Sequence, residues 1–169
     1  CPPGTFLWQY GESSRNSCTP CKAGYYFPLQ ANAGPSIVST PLECGNPGLF
    51  CPAGSVEPKT VGVGFYSVGG GLNGTTRVSQ VLCEPGSYCR EGLKFPCPRG
   101  TFGNSWGLHD EGCSGVCPPG AACPGETVDP ITCEEGFYAV GGAVICNACP
   151  GRTARAVGKR CRDSRGCCA

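Results

Sequence analysis

Methionine is absent from the 169 residues, and histidine occurs once, at His109. Leu, Ile, Val and Phe together number only 30, too few for an ordinary apolar core in a chain of this length. No apolar run approaches the roughly 18–20 residues that a membrane-spanning helix needs, so no span is expected in this segment. The charges nearly cancel at +1, so the chain also lacks the high net charge that accompanies disorder. A single histidine leaves a Ser-His-Asp triad one route, through "GLHDEGC", a turn-like segment where a surface histidine is expected. The acidic pairs Asp110-Glu111 and Glu134-Glu135 are adjacent; in extended chain they face opposite ways, which suits solvation better than acid–base work. Neither an EF-hand loop nor a dinucleotide-binding glycine spacing is present. These absences point away from an enzyme and call for no catalytic residue, metal, cofactor or nucleic acid. With no methionine and a cysteine at position 1, the chain reads as a processed product or a segment of something longer.

What fills the chain is cysteine, glycine and proline. There are 17 cysteines, 28 glycines and 17 prolines, the composition of a disulfide scaffold. Each cross-link restricts the unfolded chain, typically by about 2–4 kcal/mol, and can replace missing apolar burial. Disulfides persist in oxidising compartments, which places the protein outside the cell or at its surface. Cys18-x-x-Cys21, Cys146-x-x-Cys149 and Cys113-x-x-x-Cys117 have spacings that zinc accepts. Cysteine in this excess over histidine favours disulfides instead.

The cysteines recur in a frame. "CPAGSVEPKTVGVGFYSVGG", from Cys51, returns without a gap as "CPGETVDPITCEEGFYAVGG", from Cys123, except that Cys133 answers to Val61. "CPPGTF" at Cys1 returns as "CPRGTF" at Cys97. Gly-aromatic-Tyr occurs at Gly24, Gly64 and Gly136, and "CGNPGLFC", "CEPGSYC" and "CPPGAAC" enclose a glycine between two cysteines. Glycine supplies positive φ at a turn, and the aromatic begins a short extended segment. The expected fold is small, disulfide-rich and mostly irregular: an elongated ladder of short β-hairpins with little or no helix. Phe6, Tyr26, Phe65, Phe102 and Phe137 are expected to pack over cystines as one-residue cores.

"CPPGTF…CTPCKAGYYFP" and "CEEGFYAVGG…CNACPG" resemble the ephrin-receptor-like cysteine-rich repeats, whose pattern is Cys-Pro-x-Gly-Thr-Tyr/Phe, a spacer, then Cys-x-x-Cys-Pro-x-Gly. The run from Cys83 to Gly125 is similar to their tandem arrays in protist and algal surface proteins, including those of flagellar hairs (mastigonemes). The resemblance covers nearly the whole chain except about the last eight residues, and departs from a regular array at Val61 and the terminal "GCCA". It implies extracellular spacers or assembly units. Related tumour-necrosis-factor-receptor-like ladders bind protein ligands.

The expected modules are 1–44, 44–96, 97–132 and 133–161, followed by a basic tail, 162–169. Repeat logic suggests the pairs Cys1–Cys18, Cys21–Cys44, Cys97–Cys113, Cys133–Cys146 and Cys149–Cys161. Full connectivity stays open at this level, since six cysteines alone allow 15 arrangements. Cys83, which loses its expected mate at Val61, has Cys51 or Cys89 as local substitutes. An odd total of 17 leaves one cysteine over, and Cys167 or Cys168 is expected to link to a neighbouring copy or to the rest of a longer chain. Asn73-Gly74-Thr75 is an N-glycan acceptor in a glycine-rich loop. Six basic residues against Asp163 give the last 18 positions a net charge of +5, suited to glycans or to the acidic body of another copy. The leading expectation is a structural repeat protein whose partner is itself or neighbouring repeats. A ligand-binding receptor ectodomain and a small secreted effector or inhibitor are the alternatives.

Overall fold

The structure, a computed structural model, describes residues 1–6, 15–28, 40–70 and 74–149. The expectations placed on Asn73, Cys161, Cys167, Cys168 and the basic tail lie outside those residues. Among the described residues the fold is disulfide-rich and mostly irregular. Its regular structure is 16 strands of two to four residues in eight two-stranded sheets, with one 3-10 turn at Arg15–Ser17.

Hairpin 1 joins β1 (Thr5–Phe6) to β2 (Thr19–Pro20), and hairpin 2 joins β3 (Tyr25–Tyr26) to β4 (Leu42–Glu43). Hairpin 3 pairs β5 (Leu49–Phe50) with β6 (Lys59–Thr60). Hairpin 4 pairs β7 (Phe65–Val68) with β8 (Ser79–Leu82), and hairpin 5 pairs β9 (Ser87–Arg90) with β10 (Leu93–Pro96). Hairpin 6 joins β11 (Thr101–Phe102) to β12 (Gly115–Val116). Hairpin 7 joins β13 (Ala121–Ala122) to β14 (Ile131–Thr132), and hairpin 8 joins β15 (Phe137–Tyr138) to β16 (Asn147–Ala148).

One local rule generates seven of the eight, and hairpin 3 follows it except that its turn glycine, Gly48, does not have a positive φ. Each hairpin opens at a first position (Cys1, Cys21, Cys44, Val61, Cys83, Cys97, Cys117 or Cys133) and turns at a glycine shortly after it. Gly4, Gly24, Gly64, Gly86, Gly100, Gly120 and Gly136 have φ between 76° and 88°, which disfavours any residue with a Cβ. The N–H of the next residue bonds back across each turn, as in Thr5 to the Pro2 carbonyl at 3.1 Å. That bond with a left-handed third residue is a type II turn. The return strand then delivers the next first position onto the turn glycine. Cys21, Cys44, Val61, Cys97, Cys117, Cys133 and Cys149 donate their N–H to the carbonyls of Gly4, Gly24, Gly48, Gly86, Gly100, Gly120 and Gly136, at 2.8–3.0 Å.

The interior is built from sulfur. Among the described residues the largest fully buried side chains are Cys21, Cys44, Cys51, Cys83, Cys89, Cys97, Cys117 and Cys123. Two compact units divide the chain, the first built on Cys1–Val81 and Glu91–Leu93, the second on Leu82–Arg90 and the residues from Lys94 on. In the first unit Phe6 stacks on Phe27, ring centres 6.2 Å apart. In the second, Tyr88 stacks on Phe95 at 5.4 Å, and Phe102 packs against Cys117, Ala121 and Cys123. Phe137 departs from the expected role of a one-residue core, because its side chain stands 43% exposed. Among the described residues no helix is long and apolar enough to cross a membrane.

Candidate functional site, the cystine frame

Six disulfides lie among the described residues, every one inside a single hairpin. Cys1–Cys18, Cys97–Cys113 and Cys133–Cys146 close long loops, with separations of 17, 16 and 13. Cys44–Cys51, Cys83–Cys89 and Cys117–Cys123 close short ones, with separations of 7, 6 and 6. Cα–Cα distances run from 5.5 to 6.1 Å, within the range a disulfide spans. Cys18 and Cys146, the leading members of the zinc-like Cys-x-x-Cys pairs, are both consumed in cystines.

The expected bond between Cys21 and Cys44 is corrected. Cys44 opens hairpin 3 and pairs with Cys51 of that same hairpin. The reason lies in the turn, since the third residue after the turn glycine comes back beside the first position. Cys51, Cys89 and Cys123 hold that place in the short-loop hairpins. Of the long-loop hairpins, 6 and 8 have Gly103 and Ala139 at that place, and a Cβ on Gly103 would lie 2.6 Å from Cys97 Sγ. Their second cysteine instead stands three or four residues before the next first position, as Cys18, Cys113 and Cys146 do. Hairpin 2 has Phe27 in the first of these places and Pro41 in the second, so Cys21 finds no partner.

Cys21 is a free thiol with no exposed surface. Its burial raises the thiol pKa above the ordinary value. It is one unpaired cysteine of the 17, and the expectation placed on Cys167 or Cys168 lies outside the described residues. Hairpin 4 lacks both members of a cystine. Val61 sits in the first-position register and Ser67, 3% exposed, takes the place of Cys89 and Cys123. Cys83 pairs with Cys89, one of its two sequence-level substitutes. The signal for the three short bonds was visible as cysteine pairs around a glycine, but it did not say that each pair bonds to itself.

At four steps, successive hairpins meet through the same backbone triplet. In each, the turn-glycine N–H of one hairpin donates to the carbonyl of the third residue after the next hairpin's turn glycine. The first-position carbonyl accepts an N–H from the next hairpin's loop, and the N–H three residues past the turn donates into that same loop. From hairpin 2 to hairpin 3 these bonds are Gly24 to Cys51, Gly54 to Cys21 and Phe27 to Ser55, at 2.7–2.9 Å. From hairpin 5 to hairpin 6 they are Gly86 to Gly103, Gly107 to Cys83 and Cys89 to Leu108, at 2.7–2.8 Å. Hairpins 6 and 7 repeat it through Gly100 to Cys123, Glu126 to Cys97 and Gly103 to Thr127, at 2.8–3.0 Å. Hairpins 7 and 8 use Gly120 to Ala139, Gly142 to Cys117 and Cys123 to Ala143, at 2.8–2.9 Å. No particular side chain is needed for this contact, yet among the described residues hairpins 3 and 4 keep only its third bond, Cys51 to Arg77 and Ser67 to Gly92, both at 2.9 Å, and the Gly48 N–H turns instead to Asn46 Oδ1.

Other sequence candidates take no part in it. Asn73 lies outside the described residues, while the hydroxyl of Thr75, in the same acceptor triplet, is buried with no hydrogen-bond partner among them. His109, Asp110 and Glu111 are exposed. Compared with known proteins, the chain matches no family model, and no curated protein matches it.

Proposed function

We propose that this chain is an extracellular structural protein of ephrin-receptor-like cysteine-rich repeats, acting as a spacer or protomer of a surface coat, appendage or filament. The observation that carries the reading is the triplet of backbone bonds, repeated over four hairpin steps. A contact made by backbone groups around an invariant turn extends by repetition, as in other quasi-linear repeat proteins. Six cystines in so small a chain support an oxidising compartment. The chemistry of the side chains supports a non-catalytic role, because the single histidine is exposed between two loop-closing cysteines.

The test is the state of native material under electron microscopy and light scattering. Strings or regular assemblies of the chain are the expected result. A discrete monomer that captures a protein ligand tightly would replace this reading with the receptor-like one, and a monomer inhibiting an enzyme would replace it with the effector.

A further inference from the structure

Hairpin 8 ends the described series with its forward contact unused. Among the described residues, the N–H groups of Gly136 and Ala139 and the carbonyl of Cys133 have no hydrogen-bond partner; their counterparts on hairpins 2, 5, 6 and 7 all do, and hairpins 3 and 4 keep the third bond of the set, Cys51 to Arg77 and Ser67 to Gly92. The steric surroundings agree. A Cβ on Gly86 would lie 2.9 Å from the Glu126 carbonyl oxygen, and one on Gly100 2.6 Å from that of Gly142, two hairpins further on. A Cβ on Gly136 meets nothing within 4 Å. The residue after the turn glycine follows suit. It is buried or half-buried at Thr5, Tyr25, Leu49, Phe65, Ser87, Thr101 and Ala121, and exposed only at Phe137.

We propose that this edge of hairpin 8 is a docking surface for hairpin 1 of a second copy of the chain, so that copies join end to end by the contact that already joins successive hairpins. The inference rests on the structural-repeat reading above and names its partner. The choice of occupant comes from a parallel with hairpins 5 and 6. Hairpin 5 opens "CEPGSY" and hairpin 8 opens "CEEGFY"; hairpin 6 opens "CPRGTF" and hairpin 1 opens "CPPGTF". Hairpins 6 and 1 also share the long-loop cystine, with separations of 16 and 17. Gly107, whose N–H seats hairpin 6 on Cys83, lies ten residues after Cys97, and Gly11 lies ten residues after Cys1. The stretch following Cys149 is a poorer match by sequence, because Gly151 comes one place early for the turn and no aromatic follows it. Hairpin 8 followed by a second copy's hairpin 1 therefore repeats the pairing of hairpin 5 with hairpin 6. Phe137 would be covered there as its counterpart Ser87, 9% exposed, is covered in hairpin 5.

Sedimentation velocity over a concentration series tests this on the full oxidised chain. Photo-crosslinking from a benzoylphenylalanine placed at position 137 identifies the neighbour. The expected result is concentration-dependent assembly with cross-links into residues 1–20 of another copy. Phe137→Glu should raise the midpoint concentration about tenfold, while Val63→Glu, a change at a position 78% exposed in hairpin 4, leaves it unaltered. An unchanged cystine map shows that each variant is folded. Assembly that ignores Phe137→Glu, or cross-links that fall elsewhere, overturn this docking mode while leaving the assembly reading in place. Concentration-independent cross-links into residues 150–169 of the same chain overturn it too. A monomer at every concentration rejects end-to-end joining altogether, and a spacer role would then remain.

Discussion

Hairpins 4 and 7 share one turn and one register, yet they are held closed in different ways. Hairpin 7 uses a cystine, Cys117–Cys123, and needs strands of only two residues, with Ala121 and Ala122 buried beside the sulfurs. Hairpin 4 has Val61 and Ser67 at those two places and extends its strands to four residues each. Side chains supply further closure. Gln80 Oε1 accepts the Gly62 N–H at 2.8 Å, Ser67 Oγ donates to the Pro47 carbonyl at 2.6 Å, and Thr76 Oγ1 donates to the Gly70 carbonyl at 2.8 Å. The frame therefore resides in the turn glycine and the bonds it makes, and the cystine is one of two ways to keep the hairpin shut. A short two-stranded hairpin is marginal by itself, and hairpin 2, which has neither device, is held by its backbone bonds to hairpin 3.

Reduction should have the largest effect, since it removes every cystine at once and leaves only hydrogen-bonded closure. With eight cysteines as their largest fully buried side chains, the described residues have little apolar burial to fall back on. Thiol reductant should abolish protease resistance and the native circular dichroism together, rather than loosen the fold. Hairpin 4, which has no cystine to lose, should unfold with the rest because its neighbours in the register are gone. A reduced chain that remained compact would show that the hydrogen-bonded device is sufficient without sulfur.

A narrower cut removes the cystine from hairpin 7 alone. Cys117→Ala with Cys123→Ala should cost about 2–4 kcal/mol in a denaturant titration. Much of the loss should fall on hairpins 6 and 8, because Cys117 accepts the Gly142 N–H and donates to Gly100. A double variant as stable as the parent would mean that the register alone closes the hairpin.

The turn chemistry was legible in the sequence, since glycine after Cys-x-x with a following aromatic is a local signal and needs no distant partner. Partner choice was less so. "CGNPGLFC", "CEPGSYC" and "CPPGAAC" stood out as units, but a repeat shows which cysteines correspond, not which sulfurs meet. Pairing Cys21 with Cys44 followed the repeat, whereas the fold confines every described bond to one hairpin and gives hairpin 2 Phe27 and Pro41 at both partner positions. The contact between hairpins left no sequence trace beyond the turn, because its donors and acceptors are backbone groups. Ser67 was invisible for a related reason: its role appears only once Val61 is placed in the cysteine register.

Grafting sharpens the comparison in the opposite direction. Val61→Cys with Ser67→Cys writes the spacing of Cys117 and Cys123 into hairpin 4. A loop this short should gain roughly 2 kcal/mol from closure, offset in part by about 1 kcal/mol for the lost Ser67 hydrogen bond. A net gain of about 1 kcal/mol, with the new bond found by peptide mapping of the oxidised protein, is the expected result. A reduced pair of thiols in the folded variant would show that the longer strands hold Val61 and Ser67 too far apart to exchange one device for the other.

The smallest effect concerns Cys21, the one described place where half of a cystine is kept without a bond. Burial raises its thiol pKa, so the folded chain holds the proton at pH values where an unfolded chain releases it. The corresponding contribution to stability is complete below the ordinary thiol range, around pH 8.5, and is lost as the pH rises toward the higher native value. Alkylation reports the same linkage without requiring reversible unfolding. Cys21 in the native protein should react with iodoacetamide on the order of 100-fold more slowly than after denaturation, because reaction waits for local opening. The gap should persist from pH 7 to pH 9 when the peptide carrying Cys21 is followed by mass spectrometry, which separates it from any other thiol. A native rate equal to the denatured one would mean that the sulfur is accessible, and hairpin 2 would then lack even the packing that hairpin 4 uses in place of its cystine.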